Sequence, residues 1–142
     1  MTSLEERLRE IASQYHIADL YVFGSRAAGI AARVRGQAMP DQYPHSDVDI
    51  GVRPLPGYQL SVHDKVRLAI ALEDLLEVSR VDLVVLPEAP PFLAVDILRG
   101  HLLYCANADA QAEHELYVLR RAGDLAPYAR QRYKHILLGI PL

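Results

Sequence analysis

Residues 47–53, Asp-Val-Asp-Ile-Gly-Val-Arg, alternate strictly between two kinds of side chain. Every second residue is apolar and β-branched, and the residues between them are charged or glycine. Because successive side chains of a strand point to opposite faces, this pattern predicts a β-strand over Asp47–Arg53 with one buried face. Such a strand cannot fold alone, so the rest of the chain has to supply further strands and a covering layer.

Three other segments predict strands, and the segments around them predict helices. The other strands are expected near residues 19–23, 81–86 and 101–104. The helices are expected at Leu4–Tyr15, at Arg26–Ala32, after Ser61, from Pro90 to Gly100, at Asp109–Ala122 and, beyond a break at Gly123, from Asp124 onward. This predicts an α/β (α+β) fold, with a small mixed sheet of about four strands flanked by helices and a helical C-terminal tail. We expect one domain over residues 1–142, with its core at about 4–105 and the tail at about 109–138.

Local signals also predict how some helices begin and which face they bury. Ser3 and Glu6 have the spacing of a capping box at the start of the first helix, and Asp109 is expected to cap the tail helix. In the helix after Ser61, one set of apolar residues recurs at helical spacing and predicts its packed stripe: Val62, Val66, Ala69, Ile70 and Leu76.

Composition is typical of a packed globular protein. Hydrophobic residues make up 51% and charged residues 23% of the 142-residue chain, which are ordinary values. The net charge of −3 offers no basic field for direct nucleic-acid binding. No apolar stretch approaches the ~18 residues of a membrane span, and the N-terminus lacks the blocks of a signal peptide. A single cysteine, Cys105, suits a reducing compartment, so we expect a cytoplasmic protein without a membrane partner.

Two polar features occur where strands begin or end. The first strand runs into Gly24-Ser25, where a tight turn and exposed N–H groups can cradle phosphate oxygens; alone, such a turn is more often a simple turn and helix cap. Asp47 and Asp49 project to one strand face, about 7 Å apart at ~3.3–3.4 Å per residue. Paired carboxylates suit Mg²⁺, although a bare Asp-x-Asp is more often a solvated strand face.

A third carboxylate lies inside the apolar strand near residues 81–86. Asp82 is surrounded there by apolar neighbours, and a lone acid in such a place is costly unless it is paired or bound to a metal. Arg80 is the obvious alternative partner. Beside Asp47 and Asp49, Asp82 would complete a three-carboxylate, two-metal site of the kind that clamps both oxygens of a phosphoryl displacement.

The ordered set of these features resembles the minimal nucleotidyltransferase (MNT) family of the polymerase-beta-like superfamily. The segments that carry the resemblance are Val-Phe-Gly-Ser-Arg-Ala-Ala-Gly at 22–29, Ser-Asp-Val-Asp-Ile at 46–50 and Val-Asp-Leu-Val-Val at 81–85. The resemblance covers about residues 4–105 and implies the polymerase-beta-like fold.

The resemblance also implies roles for individual residues. Gly24 and Ser25 would hold the triphosphate of ATP, and Asp47 and Asp49 would bind both of two Mg²⁺ ions. Asp82 would ligate the catalytic metal and help activate the attacking hydroxyl. Relatives often carry arginine at the position of Arg26, for which a phosphate contact and a surface salt bridge are the two interpretations.

One departure from the family pattern concerns spacing. About ten residues usually separate Gly-Ser from the first aspartate, whereas residues 26–46 make twenty-one here. The additional residues are expected in a loop at Arg33–Ser46, where insertions cost little free energy. This loop borders the predicted site and could act as a lid or as a partner contact.

Proteins resembling this one are commonly antitoxins paired with a HEPN-domain ribonuclease. The resemblance therefore implies transfer of AMP from ATP to a hydroxyl, such as a tyrosine, of a partner HEPN toxin. Two alternatives remain: a non-catalytic antitoxin that acts by binding, and a small-molecule adenylyltransferase of the antibiotic-modifying kind. The chain from Leu116 onward carries +4 and the preceding 115 residues −7, which favours a docking tail and a solvated helix face about equally. The oligomeric state, homomeric or with the partner, is left open.

Overall fold

The computed structural model describes residues 2–37 and 44–138, with side chains as far as residue 127. Within these residues, four strands form one sheet: β1 (Ile17–Phe23), β2 (Val48–Pro54), β3 (Val81–Val85) and β4 (His101–Cys105). The helices are α1 (Leu4–Gln14), α2 (Ala27–Val34), α3 (Val62–Leu76), α4 (Pro91–Leu98) and α5 (Ala108–Leu138), and a short 3₁₀ turn (Leu86–Glu88) follows β3.

The strands lie in the order β3-β2-β1-β4. β1 pairs antiparallel with both β2 and β4, whereas β2 and β3 run parallel and are joined through α3. The predicted small mixed sheet of about four strands is confirmed, and the strand ends differ from the prediction by one or two residues. The predicted loop at Arg33–Ser46 begins later than expected, since α2 continues to Val34; residues 38–43 of that segment lie outside the described residues.

Helices α1, α2 and α3 cover one face of the sheet. The alternating residues of β1 and β2 supply the sheet side of this core: Leu20, Val22, Val48, Ile50 and Val52. The Ser3–Glu6 capping box forms as predicted, because the Glu6 N–H donates to Ser3 Oγ and the Ser3 N–H donates to the Glu6 carboxylate. This layer therefore anchors the buried side of the strand that carries the paired aspartates.

The predicted stripe on α3 is largely wrong. Val62, Val66 and Ile70 are exposed. Leu76 of the predicted set is buried, but the rest of the core side of the helix is formed by Leu68, Leu72 and Leu75. Both sets recur at helical spacing, so periodicity alone does not choose between them. Packing on the sheet selects the leucine set, whose side chains bury more apolar surface than the valines and the alanine of the predicted set.

Helices α4 and α5 cover the opposite face. Here Tyr21 of β1 packs with Ile97 of α4 and with Val118 and Ala122 of α5. Gly51 of β2 lies on this face, and a Cβ at that position would be 2.5 Å from Ile97 Cγ2, so glycine permits the close approach of α4 to β2. Asp49 lies on the same face two residues before Gly51.

The tail is one continuous helix, so the predicted break at Gly123 is wrong. Gly123 has no neighbour near its Cβ position, and an exposed glycine costs a helix only about 1 kcal/mol, too little to end a helix that is packed elsewhere. Pro127 lies inside the same helix. The predicted cap is also wrong: Asn107, not Asp109, caps the helix, because its side-chain oxygen accepts from the Ala110 N–H at 2.9 Å.

None of the helices in the described part of the chain is both long and apolar enough to cross a membrane.

Candidate active site

Strand register brings the predicted residues together at one end of the sheet. Phe23, the last residue of β1, lies opposite Asp49 of β2, and Asp49 lies opposite Asp82 of β3. The chain turns at Gly24 directly after Phe23. Gly24, Asp49 and Asp82 therefore occupy neighbouring positions, on the sheet face covered by α4 and α5.

The backbone at Gly24 adopts a conformation that favours glycine. Its φ is +80°, and a Cβ built there would collide with the Asp49 carboxylate. Gly24 and Ser25 are both exposed, and α2 begins two residues later, with the Ala27 N–H donating to the Gly24 carbonyl at 3.2 Å. An exposed turn that leads into a helix N-terminus presents N–H groups to an anion, here directly beside the carboxylate of Asp49.

The three carboxylates differ in their surroundings. Asp49 is half-buried, and its pKa is raised first by that burial and then by the negative charges of Asp82 and Asp47. The side chains of Asp47 and Asp82 are 43% and 42% exposed. Asp82 is thus not an acid enclosed by apolar neighbours, because β3 is an edge strand of the sheet.

Arg80 supplies the positive charge at this cluster. Its Nε lies 3.2 Å from Asp82 Oδ1 and 3.8 Å from Asp47 Oδ2, and its side chain is 68% exposed. Arg80 therefore pairs with Asp82, as the alternative interpretation of the sequence expects. Exposed ion pairs contribute only about 0–1 kcal/mol, so a divalent cation can replace this guanidinium at small cost.

The donors of the cluster suit Mg²⁺. Carboxylate oxygens are the hard ligands that this ion prefers, and it commonly takes only one or two of them together with substrate phosphates and water. Within the described residues, no three or more His, Cys, Asp or Glu side chains converge as a complete metal-binding group. The cross-strand pair Asp49 and Asp82, with Asp47 beside it, fits an ion that binds together with a nucleotide.

Arg26 is buried, whereas the salt-bridge interpretation of the sequence places it at the surface. Its side chain is buried, with 6% of its surface exposed, and Nη1 donates to the Ser46 carbonyl at 3.1 Å. Arg26 therefore connects the start of α2 to the residue that precedes Asp47 and helps to position that acid. A nucleotide contact for Arg26 stays a prediction.

The other side of the Gly-Ser turn carries polar residues that no local sequence pattern indicates. An open cavity of about 310 Å³ lies there, between the end of β1, the start of α2 and the α4–β4 connection. Besides Gly24 and Ser25, its polar lining consists of Asp96, Arg99 and His101. These residues come from a segment that the sequence predicted only as a helix and a strand. The signal that could have found them is the pairing of β4 with β1, which sets His101 opposite Val22.

The fold and this site define a nucleotidyltransferase. The sequence model of the family described as "Polymerase beta, Nucleotidyltransferase" matches residues 6–109, which include the Gly-Ser turn and all three aspartates. The chain belongs to this polymerase-beta nucleotidyltransferase family. No curated protein sequence matches the chain.

Several solved structures with the same fold belong to toxin–antitoxin complexes. A toxin–antitoxin structure with AMP-PNP matches with a TM-score of 0.70 and 19% identity, over 94% of this chain and 98% of that chain. The toxin–antitoxin MntA-HepT matches with a TM-score of 0.68 and 17% identity, over 94% and 97% of the two chains. A tri-AMPylated Shewanella oneidensis HEPN toxin in complex with its MNT antitoxin matches with a TM-score of 0.68 and 17% identity, over 94% and 96%.

Proposed function

We propose that the protein transfers AMP from ATP to a hydroxyl, most simply that of a tyrosine, of a partner HEPN toxin and thereby acts as an antitoxin. The observation that carries this proposal is the register that sets Gly24, Asp49 and Asp82 at neighbouring positions of adjacent strands. The turn offers N–H groups to phosphate, and the acids offer oxygen ligands to Mg²⁺. We place the reaction in the cytoplasm, where ATP is available.

In this reaction, Gly24 and Ser25 bind the triphosphate through the exposed turn. Asp47, Asp49 and Asp82 would hold two Mg²⁺ ions, which would supply positive charge to stabilise the transferring phosphoryl group. The acceptor oxygen forms a bond to the α-phosphorus, the bond from that phosphorus to the α,β-bridging oxygen breaks, and pyrophosphate leaves. Asp82, which is partly exposed on an edge strand, helps to take the proton from the incoming hydroxyl.

Similarity of fold supports the choice of partner. Chains that share this fold over nearly their whole length come from toxin–antitoxin complexes, one with an ATP analogue and one with an AMPylated HEPN toxin. A reading frame for a small helical HEPN-type protein beside the gene is the expected genomic setting. An isolated gene without such a neighbour would favour a small-molecule acceptor instead.

The decisive test replaces the carboxylates without changing their shape. Asp49→Asn and Asp82→Asn each remove a negative charge that holds metal, so we expect AMP transfer to fall by about a thousandfold or more, since metal catalysis supplies several kcal/mol. The measurement is the intact mass of the HEPN-type partner after incubation with ATP and Mg²⁺, read for AMP increments. An EDTA sample should also show no increments.

Two controls accompany this test. Asp74→Asn changes an exposed acid of α3 and should transfer AMP like the wild type. Thermal unfolding should show that the Asn variants remain folded and are as stable as the wild type or more so, because burial and like charges raise the pKa of Asp49. If the Asn variants inhibit the toxin fully without any AMP adduct, the protein is a binding antitoxin and the enzymatic proposal is wrong.

A further inference from the structure

The cavity beside the Gly-Ser turn contains a cation that pairs with no acid in the part of the chain that the structure describes. Arg99 is exposed at the end of α4, next to Gly100 and His101, and shares the cavity with Gly24 and Ser25. Within the described residues no acid forms an ion pair with it, even though Asp96 lines the same cavity one helical turn earlier. Arg26, which directly follows the Gly-Ser turn in the sequence, is instead buried and donates to the Ser46 carbonyl.

The order of the strands places this cation on a definite side of the turn. Across the end of the sheet, Asp82 of β3 and Asp49 of β2 come first, then Gly24 at the end of β1, and then His101 at the start of β4. The carboxylates and Arg99 therefore lie on opposite sides of Gly24. An extended polyphosphate bound across Gly24 and Ser25 would have one end at the acids and the other end in the cavity.

We propose that Arg99 binds the β- and γ-phosphates of ATP and the pyrophosphate that leaves. This inference rests on the proposed function, which puts the α-phosphorus at the metal-binding acids. With that phosphorus at one side of Gly24, the terminal phosphates extend toward Arg99. The planar guanidinium donates to phosphate oxygens in a fork, which a lysine ammonium does not reproduce.

Arg99 acts on the leaving group in the transfer step. As the bond between the α-phosphorus and the bridging oxygen breaks, its electron pair goes to the oxygen of the departing pyrophosphate. The charge that develops there lies on the Arg99 side of the turn, away from the carboxylates. Arg99 thus stabilises the leaving group, while the acceptor oxygen forms its new bond to phosphorus on the acid side.

The experiment separates the terminal phosphates from the rest of the nucleotide. Equilibrium binding of ATP and of AMP to the full chain is measured with Mg²⁺ for wild type, Arg99→Ala and Arg99→Lys. The control is Arg67→Ala, which removes an exposed arginine of α3 at the other end of the sheet. Inorganic pyrophosphate, which carries no base, serves as a competitor of ATP.

We expect Arg99→Ala to weaken ATP binding by about tenfold or more, the usual loss for a charged hydrogen bond, and to change AMP binding by less than about twofold. Arg99→Lys should recover part of the ATP affinity, and pyrophosphate should compete well only in the presence of Arg99. Equal ATP affinity in Arg99→Ala and wild type, or an equal loss for AMP, would overturn the inference and leave the proposed function intact. A wild type that binds no ATP with Mg²⁺ would overturn both.

Discussion

At Gly24, backbone conformation and side-chain packing both require a residue without a side chain. The left-handed φ of +80° is unfavourable for other residues, and the position of a Cβ is already taken by the Asp49 carboxylate. The turn can therefore lie against the Asp49 carboxylate only because this residue is glycine. The close approach of the Gly-Ser turn to Asp49 depends on this one contact.

Gly24→Ala should consequently damage the site more than the fold. The backbone strain of an alanine with positive φ is about 1 kcal/mol, and in addition the methyl group has to displace Asp49. We expect Mg²⁺-dependent ATP binding to fall by about tenfold or more, because moving Asp49 removes a charged contact to the bound ion. Titration of ATP into the purified variant measures the loss.

The chain offers a matched control for that substitution. Gly57 has a similar φ of +85°, and a Cβ there would meet no other atom within 4 Å. Gly57→Ala should show the same backbone penalty in thermal unfolding and normal ATP binding. An equal loss of ATP binding in both variants would mean that strain, rather than displacement of Asp49, explains the effect.

The candidate site residues can be predicted from the sequence where one short segment carries the signal. Gly24, Asp47 and Asp49 lie at the ends of strands whose pattern is visible locally, and Asp82 was found in the same way. Arg99 was missed because its place beside Gly24 depends on the pairing of β1 with β4, which are far apart in the chain. The burial of Arg26 was missed because it depends on a contact twenty residues away.

At the scale of elements, a polar cluster connects α5 to the sheet. The Gln111 Nε2 donates to the Tyr21 hydroxyl at 2.8 Å, and burial raises the pKa of Tyr21 to about 12. Next to it, the fully buried Asp19 pairs with Arg53 at 2.5 Å. His114 of α5 shares a cavity of about 190 Å³ with Arg53. The docking of α5 therefore depends on charges as well as on apolar packing.

His114 should make stability fall at mildly acidic pH. Its pKa is lowered first by burial and then by Arg53, with Asp19 acting in the opposite sense. The unfolded chain, with a histidine pKa near ~6.5, therefore takes up this proton before the folded protein does. Above a pH of about 6.5, His114 does not change the stability. As the pH falls from there toward the pKa of His114 in the folded protein, the stability declines. Urea unfolding midpoints at two pH values, about 7.5 and 5.5, measure the decline.

A variant isolates this contribution from other titrating groups. His114→Gln should show a smaller loss of stability between those pH values than the wild type, whereas His63→Gln, at an exposed position on α3, should show the same loss as the wild type. If the stability of His114→Gln falls as much as that of the wild type between those pH values, protonation of His114 is not the cause of the loss.

The positions of the strands and helices along the chain were predicted well, but the packed face of α3 and the continuity of α5 were not. Each strand was found within one or two residues, because alternation and buried runs are local properties. The face of α3 was assigned wrongly because two apolar stripes compete and only packing on the sheet decides between them. The break in α5 was predicted from Gly123, whose helical cost of about 1 kcal/mol is smaller than the gain from packing Val118 and Ala122.

At the scale of the whole molecule, α5 is a long helix that buries few apolar residues among its described side chains. Its 31 residues span about 46 Å, but Val118 and Ala122 are its buried apolar residues in the described part, and Leu125 is already exposed. The helix also carries exposed apolar residues nearer its start: Leu116, Tyr117 and Leu119. Such a helix offers a partner both apolar contacts and, from Leu116 onward, a net charge of +4 against −7 on the preceding chain.

The last prediction concerns the basic tail, Arg120 to Lys134, as the surface that meets the partner or closes the site. Arg130, Arg132 and Lys134 have side chains outside the described residues, so their role stays a prediction from charge. Because complementary charge mainly speeds and orients docking, reversing Arg130 and Arg132 to glutamate should slow association with the HEPN-type partner by about tenfold at low salt and weaken its salt dependence. Reversal of the exposed Arg7 and Arg67 changes net charge equally and should leave the rate near that of the wild type. Stopped-flow association at several salt concentrations compares the two, and equal effects would mean that only net charge matters and that these residues merely solvate the end of the helix.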